Sequence, residues 1–321
     1  MLSAGNLLAS AVRVNRQLGL GTGDRWLCCL PLRHIGGLSI PYRCALAGAA
    51  TVLRPGFVAA AVAEDLGRHG VTHLSLVPPM LARLLELGDP PPPSLRVVLV
   101  GGQSLSPSFA QQALDSGWPL YVTYGMTETA SQVACSDRLM APPGAGAVGR
   151  PLPGLEIDCP ACPDPAGVLR VRGAPVMAGY ANPRRLPGQG LEDGWLRTSD
   201  LACLDPAGVL HCLGRADDVL VTAGLKVHPA RVEAALARAP GLGEVAVVGV
   251  PDAVWGQRLV ALYTGAVSPA ELDAWCRGQL PGAARPRTFI QCPTLPSLPS
   301  GKLDRHRLQE LAVAHSAASG L

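Results

Sequence analysis

The run LRVVLVGG, residues 95–102, decides the fold. It is an apolar run that ends in two glycines. Strands buried on both faces read this way, without the polar alternation of a half-exposed strand, and they belong to parallel sheets covered by helices. Upstream, RWLCCLPL (residues 25–32) and THLSLVPP (residues 72–79) are short apolar runs ended by proline. VAAAVAEDLGRHG (residues 58–70) reads as a helix stopped by Gly70. Strands alternating with helices predict an α/β fold for this part of the chain.

Downstream the pattern changes. DPAGVLRVRG (residues 164–173) and DPAGVLHCLG (residues 205–214) are near copies. Each places a turn sequence before alternating apolar residues, which predicts two antiparallel hairpins of a β subdomain. HPARVEAALARAPG follows as an amphipathic helix with Val232, Ala235, Leu236 and Ala239 on one face. EVAVVGVPD reads as a strand. Ser268-Pro269-Ala270-Glu271 reads as a capping box with proline at the first helical position. Helix, strand and helix in this span predict a compact α+β domain, with its boundary near Asp217.

Composition narrows the function classes. The 321 residues are 48% hydrophobic and 16% charged, with a net charge of +3. That fits a globular enzyme and gives no basic block for nucleic acid. No uninterrupted apolar stretch is long enough to span a bilayer, and residues 1–14 lack the pattern of a signal peptide, so a cytoplasmic protein is expected. Ten cysteines are present. The C-x-x-C of Cys159 and Cys162 has no second pair at zinc-site spacing, so most of the cysteines are expected to act as small apolar residues.

Several short motifs suit nucleotide chemistry. TYGMTETAS (residues 123–131) gathers hydroxyls, a glycine, a tyrosine and one carboxylate, Glu128. Hydroxyls and main-chain N–H groups suit phosphate oxygens, a carboxylate suits Mg²⁺, and a tyrosine ring suits a base. A polar turn after a strand is the plain alternative. GWLRTSDLA puts Asp200 at the head of a hairpin, where a carboxylate can accept from ribose hydroxyls or simply close a turn. PSGKLDR contains Gly301-Lys302 but lacks the first glycine and the Ser/Thr of a Walker A loop. Of the 27 Lys and Arg residues, Lys226 and Lys302 alone are lysine.

In order along the chain, YGMTE, TSD, GRADD, GLKV and PSGK resemble the acyl-adenylate-forming (AMP-binding) enzymes: acyl-CoA synthetases, luciferases and peptide-synthetase adenylation domains. The resemblance implies a partial large N-terminal α/β domain with a β subdomain, residues 1–216. A small mobile α+β C-terminal domain, residues 217–321, would follow. It implies ATP and Mg²⁺ as cofactors and CoA as cosubstrate. Gly101 and Gly102 resemble the strand end beside the adenine and acyl pocket. Tyr124, with Gly125 after it, resembles the adenine-stacking residue, and Thr127 the α-phosphate contact. Glu128 resembles the Mg²⁺ ligand, and Asp200 and Arg215 the ribose-binding pair. Asp217 falls at the family hinge. Lys226 matches a basic position that changes partners as the small domain rotates, and Lys302 matches the catalytic lysine.

CLPLRHIGGLSIPYRCALAGA (residues 29–49) resembles the matching segment of o-succinylbenzoate–CoA ligases of menaquinone synthesis. His34 sits where that family places a pocket-wall aromatic or histidine, and Arg43 matches an arginine that in some of those ligases faces the substrate's second carboxylate. A surface arginine on a helix is the alternative for Arg43. Gly36 departs from the serine common in those ligases. Another aromatic or medium-chain acid is the alternative substrate. The family's Ser/Thr/Gly-rich phosphate loop ending in Pro-Lys is expected just before residues 2–8, where only Met1 stands, and Ala4 replaces a usual histidine. The expectation is therefore a truncated chain with an open sheet edge, a homo-oligomer, or a partner chain that supplies the rest. An inactive nucleotide- or acyl-binding remnant is the alternative of a different class.

Overall fold

The computed structural model describes residues 1–162, 166–183, 185–298 and 303–318. The first part alternates helix and strand: α1 (Ala4–Leu18), β1 (Arg25–Cys28), α2 (Ile35–Ala47), β2 (Ala50–Leu53), α3 (Ala59–Arg68), β3 (His73–Leu76), α4 (Pro78–Leu85), β4 (Val97–Val100), α5 (Pro107–Asp115) and β5 (Leu120–Met126). Strands β1 to β5 form a parallel sheet in the order β2-β1-β3-β4-β5. Every residue of β3 and β4 is buried, as the apolar run at 95–102 predicts for a sheet covered on both sides. β6 (Ser131–Cys135) and β7 (Arg150–Pro151) then extend the sheet antiparallel.

Two cores hold this sheet. One face, with Leu27, Leu74, Leu76, Val98 and Val100, packs on α3, α4 and α5. The other, with Trp26, Cys28, Val97 and Leu99, packs on α1 and α2. Ser3 caps α1 in a reciprocal box with Asn6, and Gly19 ends it in the left-handed conformation. At the far side β2 is an edge strand. It pairs only with β1 among the described residues, and Leu53 on it is 61% exposed.

The β subdomain comprises β8 (Leu155–Asp158), β9 (Gly167–Gly173), β10 (Leu196–Leu204) and β11 (Leu210–Arg215). Each predicted hairpin forms, and the two fuse because β10 also pairs with β9. Asp164 and Pro165 of the first turn lie outside the described residues. In the second, Asp205 Oδ1 accepts from Val209 N at 2.8 Å, which fixes the turn. The cysteine expectation needs correction here. Cys162 N donates to Leu204 O at 2.7 Å, which lays Cys162 beside β10, and Cys162 and Cys203 are disulfide-bonded with a Cα–Cα distance of 5.3 Å. Cys159 is free, so the C-x-x-C does not close on itself.

The last part contains β12 (Leu220–Thr222), β13 (Leu225–Val227), α6 (Pro229–Leu236), β14 (Leu242–Asp252), β15 (Gly256–Gly265), α7 (Pro269–Gln279), β16 (Thr288–Gln291) and α8 (Arg305–Ala318). Its sheet runs β13-β12-β15-β14, with β16 parallel to β15. On α6, Val232, Ala235 and Leu236 are buried as the periodicity predicts, and a fully buried leucine contributes about 1.5–3 kcal/mol. Ser268 and Glu271 cap α7 reciprocally, with Pro269 at its first position.

Candidate active site

Gly101, Gly102, Tyr124, Gly125, Thr127 and Glu128 lie at or just after the carboxyl ends of β4 and β5, the usual place for ligands in α/β sheets. β4 runs into Gly101 and Gly102. Alongside it, β5 leaves the sheet through a bulge at Tyr124 and Gly125 and turns back as β6. A Cβ on Gly101 would lie 2.7 Å from Thr123 Cγ2, and Gly102 has φ +81°. Gly125 is more constrained still. A Cβ there would stand 1.8 Å from the main-chain oxygen of Ser131, so only glycine lets the two strands cross this closely.

A 3-10 turn, Thr127–Thr129, joins the two strands. Buried Thr129 stiffens it, with Oγ1 at 3.1 Å from Met126 O and 3.0 Å from Ser131 O. Ala130 and Ser131 have φ of 49° and 107°. Such conformations cost about 1–3 kcal/mol each for non-glycine residues. The outcome is an exposed Thr127 beside a half-buried Glu128. Glu128 is held at both ends: its carbonyl accepts from Met177 N at 2.7 Å, and its Oε1 accepts from the Tyr180 hydroxyl at 3.3 Å. Burial, then the charge of Glu128, raises the Tyr180 pKa. Among the described residues no cluster of three or more His, Cys, Asp or Glu is placed to hold a metal. A single carboxylate fits Mg²⁺ that brings phosphate oxygens and water as its other ligands.

Asp200, on β10, accepts from the Tyr124 hydroxyl at 2.5 Å. Burial, then Asp200, pushes the Tyr124 pKa upward, so the phenol keeps its proton. Arg215 faces Asp200 in the β10–β11 register, yet its guanidinium forks onto Asp217 at 2.8 and 2.6 Å. That hydrogen bond raises the Arg215 pKa and holds Asp217 below the ordinary carboxylate range. Asp200 and Arg215 are thus adjacent, but each is engaged elsewhere.

His34 is exposed at the N-cap of α2 and makes no side-chain cap bond. Arg43 lies further along on the inward side of the same helix. It is 1% exposed, which excludes the surface-arginine alternative. Its Nη2 donates to Ser131 Oγ at 2.9 Å, and its guanidinium carbon lies 5.2 Å from the Trp26 ring centroid. Its Nε has no partner among the described residues, and no carboxylate pairs with it there. Burial lowers its pKa to about 10, so it remains a cation near neutral pH. Lys226 is exposed on β13, and Lys302 lies outside the described residues. Tyr180 joins the site without a sequence signal, separated from Glu128 by 52 positions, whereas Ser131 is the last hydroxyl of the 123–131 motif and only its bond from Arg43 was hidden.

Comparison with known proteins matches residues 1–181 to the AMP-binding enzyme family and residues 231–302 to the AMP-binding enzyme C-terminal domain. The chain is 36% identical to a 2-succinylbenzoate--CoA ligase of Bacillus velezensis, over 96% of its own length and 64% of that relative's. It is 35% identical to the Bacillus subtilis (strain 168) protein of the same name, over 95% and 64%. The chain therefore spans less than two thirds of the length of these relatives. The solved Bacillus subtilis o-succinylbenzoate CoA synthetase in complex with its acyl-adenylate intermediate superposes with a TM-score of 0.82 at 34% identity, covering 96% of this chain and 65% of that one. ATP-bound MatB from Rhodopseudomonas palustris superposes with a TM-score of 0.84 at 26% identity, over 98% and 65%.

Proposed function

The chain belongs to the AMP-binding enzyme family, and on that premise we propose that it serves the ATP-dependent ligation of a carboxylic acid to CoA through an acyl-adenylate. The acid we assign is o-succinylbenzoate, of menaquinone biosynthesis. The relatives named for that activity support the assignment. In the first step a carboxylate attacks the α-phosphorus of ATP and pyrophosphate leaves. In the second, the CoA thiol attacks the acyl carbon and AMP leaves. Both partners in the first step are anions, so repulsion grows as they converge and a cation between them lowers the barrier.

Lys302 supplies that cation. Glu128 holds Mg²⁺, which neutralises phosphate charge when bound. Tyr124 covers the adenine, Thr127 binds the α-phosphate, and Asp200 and Arg215 take the ribose hydroxyls. Gly101, Gly102 and Gly125 keep the main chain close to the nucleotide and acyl group. His34 walls the acyl pocket. The two domains divide at residues 216 and 217, with Asp217 as the hinge and Lys226 exchanging partners as the small domain turns between steps. We place the reaction in the cytoplasm. No described helix is long and apolar enough to cross a membrane.

One observation carries the acid's identity: the buried guanidinium of Arg43, which pairs with no carboxylate among the described residues. A buried cation is costly unless paired, and a substrate with a second carboxylate pairs it. The test supplies ATP, Mg²⁺, CoA and o-succinylbenzoate and measures pyrophosphate and thioester. Turnover with o-succinylbenzoate above that with benzoates and fatty acids is expected. Absence of turnover both from this chain and from a version bearing the family's phosphate loop overturns the proposal.

A further inference from the structure

The β subdomain contains four cysteines that the reaction scheme above leaves unused. Cys203 on β10 is bonded to Cys162, while Cys159 and Cys212 are free and pack against the subdomain core. The bonded pair is asymmetric: Cys203 is 4% exposed and Cys162 is half-buried. Disulfides of cytosolic proteins are typically transient, catalytic or redox-sensing, because the thiol pool there keeps cysteines reduced.

The bond lies close to the site. Asp200 precedes Cys203 on the same strand. On the β9 side the register breaks between Arg197 and Leu201, and on the β11 side it shifts after Leu201. The main chain that carries Asp200 is therefore irregular, and the contacts on either side of it set its position. On one side Thr198 Oγ1 accepts from Asp200 N at 3.0 Å and donates to Leu169 O at 2.9 Å. On the other side β9 reaches only as far as Ala202, and residues 160–162 take its place beside Leu204. Leu204 N donates to Pro160 O at 3.0 Å, and Cys162 N donates to Leu204 O at 2.7 Å. The disulfide closes this short rung covalently.

We infer that Cys162 and Cys203 form a redox modification site, whose bond sets how firmly β10 holds the ribose-binding carboxylate. This rests on the proposed ribose role of Asp200 and on the cytoplasmic setting. The oxidant is a hydroperoxide and the reductant a dithiol. In closing, the thiolate of Cys162, the more accessible partner, attacks a peroxide oxygen. The O–O bond breaks, the distal oxygen leaves as water or an alcohol, and Cys162 becomes a sulfenic acid. The Cys203 sulfur then displaces the hydroxyl, which leaves as water with the Cys203 proton. In opening, a thiolate of the reductant attacks Cys162 Sγ. The S–S bond breaks, and the electron pair goes to Cys203, which takes up a proton. The reductant's second thiol then frees Cys162, and the reductant leaves as a disulfide. Cys159 competes poorly for either step, because burial raises its thiol pKa and leaves little thiolate near neutral pH.

Thiol counting and amide hydrogen exchange test this on the full chain. Of ten cysteines, eight should titrate after denaturation of the oxidised protein. Native treatment with dithiothreitol, followed by its removal, should give ten, and stoichiometric hydrogen peroxide should restore eight. Reduction should speed exchange of the Cys162 and Leu204 amides about tenfold and leave β14 unchanged. Cys203→Ser should exchange like the reduced protein in either buffer, and Cys159→Ser should keep the redox response. A bond that survives excess dithiothreitol in the native protein, or equal exchange rates in the two states, overturns the inference.

The second arm reads the link to the site. Reduction should weaken ATP binding, measured by calorimetry, about fivefold, and Asp200→Ala should remove the difference between the two states. Equal affinities in a protein that binds ATP overturn the link to Asp200. If neither state binds ATP, the ribose role fails with the proposed function, and the exchange rates alone decide whether the bond braces β10.

Discussion

Replacing Arg43 with methionine should cost activity far more than stability. In the free protein the guanidinium is buried, charged and without a carboxylate partner among the described residues. Removing an unmatched buried charge relieves several kcal/mol of desolvation cost. Against that stand about 1.5–3 kcal/mol for its hydrogen bond to Ser131 and about 1–2 kcal/mol for its placement over Trp26. Methionine keeps much of the volume. The balance lies within about 2 kcal/mol of zero. On the proposed function, substrate binding would differ, because the second carboxylate of the acid would then enter the pocket without its counter-charge. Truncating one partner of such a pair costs about 2–5 kcal/mol, which lowers kcat/KM by about 30-fold or more. Thermal unfolding gives the first quantity, and pyrophosphate release with dicarboxylate and monocarboxylate acids gives the second. Destabilisation by more than about 3 kcal/mol would show that the arginine belongs to the core. Equal losses on both acid classes would refute its pairing with the substrate.

Gly125→Ala should be far more damaging than its size suggests. The new Cβ would fall on the Ser131 carbonyl, forcing β5 and β6 apart at a cost of about 3 kcal/mol or more; an unchanged unfolding midpoint would contradict this geometry. Asp217 predicts an acid-side effect. The hydrogen bond from Arg215 holds its folded pKa below the ordinary 3.8, so its contribution to stability is complete above that pH and lost as pH falls through the folded value. Asp217→Asn should therefore flatten the decline in stability between about pH 5 and pH 2, and an unaltered profile would mean the fork is not maintained in solution.

Much of the architecture was legible because it follows from local rules. Residues 95–102 announce a strand covered on both faces, Ser268 and Glu271 announce a helix start, and Val232 to Leu236 show a buried helical stripe. The near-repeats announce two hairpins. Their fusion into one sheet depends on pairs such as Leu196 with Val171, which no local pattern encodes. The site divides along the same line. Glycines and hydroxyls near residue 125 are visible in the motif, but the Tyr124–Asp200 bond joins positions 76 apart. The burial of Arg43 was hidden because α2 carries Gly36, Gly37 and Pro41, which blur its amphipathic pattern. The disulfide was hidden because the C-x-x-C draws attention to the nearer pair, whereas strand geometry selects Cys203.

The outer edge of β2 has a practical bearing on handling the protein. Its outward main-chain groups and the exposed Leu53 form a short docking rail for any other extended segment. In concentrated solution the most abundant such segment is the same strand of another molecule. Turbidity should therefore rise with concentration more steeply than the modest net charge suggests, and a lysine in place of Leu53 should suppress it.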